Sequence, residues 1–515
     1  MNIREKRIEK YAIAIFRAFA IIVFAVLTGV SLVMTGNNID SMDEFLYFKE
    51  DSILGNLLGI LLSLVMIAVF LKLGEVIAAK LEARFQKKIS MTLFAGIVSV
   101  ISVLFSVYWV FATATAPKAD QAYICEQAVQ LELGNIDTLL KGGYVAKCPH
   151  QLGIITFLRV LFTVFGEGNY KAYQYFSAVM VGLLVFAGFQ IIKHLTKDNH
   201  RAEAVYLILA LVCFPMYGYV PYVYGEIPST AFVMLAGWMF LACMERMRWW
   251  KLFLLAGFCG AAMQFRQNTI IMFIGFFIVL GIRFITELHK KYLIMAGCMI
   301  AGLLAFGMAV NVIYKPLIPE DSKGIPSIMY IVMGTHESRE GFPGWFDGTH
   351  ANTYALNDYL PKPTIEAGKA ELEAFAQKCL QDKAFAFDFY FGKMNTQWNA
   401  PMYQCLPMNS LIVEKQSVLA EAIYFGELGA VVEKIMNYYQ LLIYGGVLLF
   451  LISKVDKIEN YLLLIGIYGG FLFTLIWEAK TRYTFPYMVL MIPYAAISIE
   501  YLLTQSKKAV FCRKK

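Results

Sequence analysis

Long runs of apolar residues alternate along this chain with short polar or charged stretches. They cover 11–34, 52–73, 91–112, 171–193, 204–222, 226–243, 251–264, 269–285, 292–314, 438–453, 460–477 and 485–503. Several exceed the roughly 20 residues that cross a bilayer. Helices are the only open-chain structures that satisfy every backbone group in lipid. The pattern therefore predicts an all-α polytopic membrane protein with about twelve transmembrane helices. The first run is too long for a cleaved leader and lacks a small-residue cleavage site, so it reads as a retained span. The run 151–165 predicts a helix lying in the interface, because one more crossing there would put every later basic loop on the wrong side.

Charge orients these spans. Basic residues cluster at Arg4, Lys6, Arg7 and Lys10, at Lys80, Arg84, Lys87 and Lys88, and at Lys193, Lys197 and Arg201. Further clusters are Arg246, Arg248 and Lys251; Arg283, Lys290 and Lys291; Lys454 and Lys457; and Lys507, Lys508, Arg513, Lys514 and Lys515. With twelve crossings all of them fall on one side, which lysine and arginine mark as cytoplasmic. Both termini then lie inside. The loop 35–51, with Asp40, Asp43, Glu44, Glu50 and Asp51, falls outside, as do the long segments 113–170 and 315–437. The larger one opens with Pro316, Pro319 and Pro326, and Glu/Ala/Leu spacing predicts a helix over 364–382.

Composition narrows the class. Only 16% of the 515 residues are charged and 59% are hydrophobic, against roughly 25% charged in soluble domains. That excludes a soluble enzyme, a disordered chain and a nucleic-acid-binding module. Four cysteines fall outside in two local pairs, Cys125 with Cys148 and Cys379 with Cys405. Two disulfides and four free thiols are both open readings.

The candidate chemistry sits at the outer ends of spans. Asp120 follows Pro117, which ends the third span, and is a candidate base or a solvated loop carboxylate. Glu226 opens the sixth span among aromatics, either as a helix-end charge or as a polar group facing a headgroup cavity. Arg266 and Arg482 are cations on the side where cations are scarce, which favours a shared anionic ligand. His150, His336, His350 and Asp347 also face outside, but their spacing matches no metal-ligand motif. The expectation is no bound metal, with a divalent cation the open cofactor. No Walker loop, dinucleotide fingerprint or Gly-x-Ser-x-Gly is present.

Five segments recur here in a recognisable order: the acidic residue of the first outer loop, Pro149-His150-Gln151-Leu152-Gly153, Tyr224-Gly225-Glu226, Arg266-Gln267-Asn268, and Arg482-Tyr483-Thr484-Phe485-Pro486. From about residue 91 to the end the chain resembles the C-type (GT-C) membrane glycosyltransferases, in the branch of protein O-mannosyltransferases and lipid A aminoarabinose transferases. The resemblance implies a GT-C-like bundle with interfacial helices and one extracytoplasmic α-rich loop domain. Its parts would be an extra N-terminal hairpin (1–90), a catalytic transmembrane core (91–314), the loop domain (315–437) and the C-terminal spans and tail (438–515).

It further implies transfer of a sugar from a polyprenyl-phosphate carrier to a glycan, lipid or protein acceptor outside the plasma membrane, in cell-surface glycan biosynthesis. By the resemblance Asp120 is the general base, and Arg266, Arg482, Tyr483 and Glu226 attend the carrier phosphate. His150, Tyr224, Glu478 and Trp345 are candidates for sugar or acceptor binding. His150 stands where the family often has proline, and Gln121 stands where many members have glutamate after the aspartate. One base and no covalent partner point to inversion. Trp345, Phe346, Tyr354, Trp398 and Tyr403 either stack on sugar rings or pack the outer domain's core. The alternatives are a transporter or lipid flippase, and a polymerase or ligase with a pyrophosphate-linked donor.

Overall fold

The computed structural model describes residues 3–37, 46–86, 88, 90–319, 324–337, 342–453 and 455–512, with side chains between residues 7 and 505. Asp40, Asp43, Glu44, Lys87, Lys454, Arg513, Lys514 and Lys515 lie outside the described residues, as do the side chains of Arg4, Lys6, Lys507, Lys508 and Cys512.

The protein is an all-α polytopic membrane protein. Among the described residues ten helices are long and apolar enough to cross a membrane, and each coincides with an expected run. Their starts follow local chemistry: Ser52 and Ser90 cap Ile53–Phe85 and Met91–Thr113 through side-chain oxygens. The helix expected from residue 438 starts earlier, at Glu427, and runs to Ile452. Its added turns carry an inward face of Gly429, Glu433, Met436 and Asn437.

The two remaining expected spans are shorter helices. His200–Val212 has 13 residues and breaks at Cys213 before Phe214–Gly218; Trp249–Phe265 has 17. Contacts at the two ends of the bundle fix their course. At one end Arg201 pairs with Glu75, Lys193 bonds Thr92, His194 meets Glu245, and Lys251 caps the Ala242 carbonyl. At the other, Glu226 pairs with Arg266 and Tyr222 with Arg482. Segments 201–222 and 251–266 therefore each run from end to end.

In lipid, helices associate through close packing and interhelical polar contacts. A Cβ on Gly275 would lie 2.8 Å from the backbone nitrogen of Gly466, so two glycines let Ile270–Glu287 approach Leu462–Ile476. Buried charge ties the end opposite the site together. Arg283 reaches Glu9 at 3.2 Å and Glu287 at 3.0 Å, and also pairs with Glu459.

Leu152–Phe165 is a 14-residue helix bent by 96° from the helical segment before it. At 1.5 Å per residue it is about 21 Å long, short of a bilayer core. Arg159 on this helix pairs with Glu132 of the outer loop. Between residues 315 and 426 the chain folds as short helices and two longer ones, Pro361–Gln381 and Lys383–Trp398. The N-terminal hairpin joins this layer through a ribbon, Met34–Asn37 with Tyr47–Glu50, whose Gly36 N–H donates to the Asn399 carbonyl. Asp51 closes the seam onto Lys434 at 2.8 Å.

Arg283→Met strands carboxylates that are themselves largely buried. The expected cost is about 3–5 kcal/mol, read as lower thermal stability of the protein in detergent.

Candidate functional site

The long loops 113–170 and 315–437 and the end of the bundle enclose a cavity of about 390 Å³. Asp120, His150, Tyr224, Glu478, Arg482 and Tyr483 all line it, so residues scattered over most of the chain converge on one place.

Asp120 is the first residue of the helix Asp120–Glu132, where the helix dipole favours a negative charge. The turn that delivers it is strained: Ala119 holds φ 48° and ψ −128°, a conformation that non-glycine residues rarely adopt. Next along, Gln121 staples the helix in place. Its amide donates to the Met408 carbonyl at 2.8 Å and its oxygen accepts from the Val223 N–H at 2.8 Å. The departure from an Asp-Glu pair thus has a structural purpose, since only an amide both donates and accepts here.

Arg482 reaches Asp120 at 3.0 Å through one amino group and donates to the Tyr222 hydroxyl through the other. Its Nε is buried and finds no partner among the described residues. The Tyr224 and Tyr483 rings lie 5.4 and 5.3 Å from the guanidinium. Although burial pushes the Asp120 carboxyl up, Arg482, Lys480 and His150 outweigh it, so its pKa falls below the ordinary value. Glu478 is raised, because burial dominates there. His150 is pushed down to about 4, first by burial and then by Arg266. It is neutral at neutral pH.

Arg266 lies behind Tyr483, 5.1 Å from that ring, and pairs with Glu226. The second Glu226 oxygen is buried without a partner among the described residues. Glu226 is therefore an anchor for Arg266 and not a direct contact of the cavity. Gly225 makes the pair possible, since a Cβ there would strike the Phe265 carbonyl and the Arg266 side chain. Tyr483 also lines a narrow cleft between helices, with Ser229, Thr230, Arg266, Met272 and Leu490. An anion held between the arginines would thus sit where a polar cavity adjoins an apolar slot.

At this point comparison with known proteins bears on the fold. Residues 150–313 match the family model of dolichyl-phosphate-mannose-protein mannosyltransferases. The match covers about a third of the chain and includes His150, Glu226 and Arg266, but neither Asp120 nor Arg482. It supports the C-type class of membrane glycosyltransferases, which use polyprenyl-phosphate sugar donors. No curated protein matches the chain.

Some expectations need correction. Trp345 does not face the cavity; it is buried against Leu46, Ala400 and Ala479 and forms a β-bridge with Ala479. Its neighbour Phe346, half-exposed, lines the cavity instead. Tyr354, Trp398 and Tyr403 are core residues, each at most 2% exposed. Of the two open readings of the outer cysteines, the structure has free thiols at all four: Cys405 is buried against Gly218, whereas Cys379 lies on the helix Pro361–Gln381. No three metal-ligating side chains among the described residues gather to hold a metal. His336 is held between Asp347 at 2.9 Å and Glu371 at 3.0 Å, while His150 and His350 flank Tyr330. Sequence reading passed over Lys118, Lys147, Lys480 and Tyr330, which line the cavity; nothing in their local patterns marks them.

Gln121→Glu sets a carboxylate against the Met408 carbonyl and is expected to cost about 1–3 kcal/mol, measured as a lower unfolding temperature. The His336 clamp gives a pH signature. Its pKa is raised, chiefly by the hydrogen bond to Asp347, so its contribution is full below the unfolded value and fades as pH rises through the folded one. Asp347 is held at about 2 by His336 and Thr349 against the effect of burial, so its contribution is lost only as pH falls through that value. His336→Gln is therefore expected to destabilise more at about pH 6 than at about pH 9, in paired thermal melts.

Proposed function

We propose that the protein is a membrane glycosyltransferase that moves a sugar from a polyprenyl-phosphate carrier to an acceptor on the outer face, with both termini in the cytoplasm. One observation carries the reading: Arg482 pairs with Asp120 inside a walled cavity while its buried Nε has no partner among the described residues. A guanidinium so held has a donor left for a phosphate oxygen. Arg266 supplies a second cation where the cavity meets the interhelical cleft, which suits a headgroup joined to a long apolar chain.

The chemistry needs one base and one stabilised leaving group. The acceptor hydroxyl oxygen bonds to the anomeric carbon as the bond from that carbon to the phosphate oxygen breaks. The hydroxyl proton passes to Asp120, and the departing carrier phosphate takes up the negative charge opposite Arg482 and Arg266. No covalent sugar–enzyme step is required, so the configuration at the anomeric carbon inverts. Tyr224 and Tyr483 pack against Arg482 and limit its movement.

The test is release of free carrier phosphate by purified protein in lipid, supplied with a panel of labelled polyprenyl-phosphate sugars and crude envelope acceptor. Asp120→Asn keeps the size of the side chain but removes the base, and the rate is expected to fall by about 10²–10⁴-fold. The sugar that reacts names the donor, and its product carries the inverted configuration. Lipid movement between leaflets that survives Asp120→Asn, with no release from any donor, would instead identify a transporter.

A further inference from the structure

We propose that His150 selects the sugar being transferred by hydrogen-bonding one of its hydroxyl groups. The inference rests on the glycosyltransferase reading and assigns a specificity-determining residue to it.

The first observation is how firmly the residue is placed. His150 lies in the turn Pro149–Gln151, which opens onto the helix Leu152–Phe165. Glycines let this turn press against its neighbours on two sides. A Cβ on Gly324 would lie 2.7 Å from the Pro149 ring, and one on Gly153 would strike the Gln264 carbonyl. Gln264 precedes Arg266 by two positions, so the turn is packed directly against the segment that carries the second arginine.

The second observation is an uncommitted ring nitrogen. The buried Gln151 amide bonds the Tyr224 hydroxyl and lies 3.2 Å from His150 Nε2. The His150 ring packs at 83° against Tyr330, with the centroids 6.2 Å apart. Its Nδ1 has no partner among the described residues, and the ring is open to the cavity that it lines. A side chain held at one nitrogen, packed on a neighbouring ring and free at the other nitrogen is suited to one directed hydrogen bond.

The third observation points to the partner. Burial and Arg266 keep this imidazole neutral at neutral pH, so it adds no cation for the carrier phosphate. The proposed reaction gives that task to Arg482 and Arg266. A sugar hydroxyl both donates and accepts, so it satisfies Nδ1 in either tautomer, whereas an ionised phosphate oxygen only accepts. Place agrees with chemistry. In an inverting displacement the acceptor and the leaving group stand on opposite faces of the anomeric carbon. The sugar ring then lies between the base and the phosphate. Asp120 and Arg266 both act electrostatically on His150, so its ring is within reach of both ends of that line.

The test is carrier-phosphate release by the full chain in lipid. Its donors are the polyprenyl-phosphate sugar that the wild type uses and a set of mono-deoxy analogues, each lacking one hydroxyl. In the wild type one analogue is expected to lose about tenfold in kcat/KM. His150→Phe keeps a ring against Tyr330 without the nitrogen. It is expected to use that analogue and the parent sugar equally, with the penalties for the other analogues unchanged. His150→Asn, which keeps a polar atom near the place of Nδ1, is expected to retain the discrimination. A wild type that discriminates against no analogue, a penalty that survives His150→Phe, or equal slowing of every donor overturns the proposal. The last of these is what a purely structural role would give. His150→Ala, read in the same way, decides the case where His150→Phe fails to fold. Each of these outcomes leaves the transferase reading intact, because the wild type still releases carrier phosphate. Release from no donor overturns that reading, and the proposal with it.

Discussion

The loop-bearing end of this molecule is organised around one ion pair between residues 362 positions apart, Arg482 with Asp120. Taking a guanidinium out of water costs several kcal/mol unless its donors are met. Arg482 meets Asp120 through one amino group and Tyr222 through the other, while its buried Nε has no partner among the described residues. For that pairing to hold, both flanks must be rigid. Gln121 fixes the aspartate side to Met408 and Val223. On the arginine side, Thr481 and Thr484 donate to the carbonyls of Thr396 and Gln397, and the Ala479 N–H donates to Gly344. The outer helices are therefore part of the site's frame. They hold the turn that carries Arg482.

The second arginine is handled differently. Arg266 meets a fully buried glutamate whose other oxygen has no partner among the described residues, and its backbone turn is pressed against Gly225. That arrangement fixes the position of the guanidinium at the expense of some of its field. Arg482, half-committed to a partly exposed aspartate, keeps more of its charge available. Tyr483 stands between the two arginines, touching both, and forms the wall shared by the polar cavity and the apolar cleft.

Much of this was legible in the sequence, because lipid imposes a coarse code. Apolar length gave the spans, and basic loops sorted the ends of the helices. Contacts such as Arg201 with Glu75 and Arg283 with Glu9 join loops that the charge pattern had assigned to the same side. Asp120, Arg266 and Arg482 stood out as charges at outer span ends, where charge is rare. What failed to show was anything set by partners instead of position. Trp345 and Phe346 are adjacent and equally aromatic, yet one is core and the other cavity wall, and only the β-bridge to Ala479 separates them. Gln121 read as a departure from a motif until both of its hydrogen bonds were visible. Local cysteine spacing suggested pairs, but Cys405 belongs to the bundle and Cys379 to an outer helix.

In the proposed reaction, a base that is ion-paired at rest poses a chemical problem, since Arg482 lowers the proton affinity that Asp120 would need. The geometry contains its own answer. The same guanidinium that holds Asp120 lines the cavity in which, on the proposed reaction, phosphate charge would grow as the sugar leaves. Charge developing on that phosphate competes for Arg482, and every increment of attraction gained there is lost to Asp120. On that proposal the aspartate would become more basic as the leaving group becomes more anionic, and proton uptake would be coupled to bond breaking. Water would blunt this coupling by screening both partners. The buried tyrosines Tyr222 and Tyr224 around the arginine would keep that competition local.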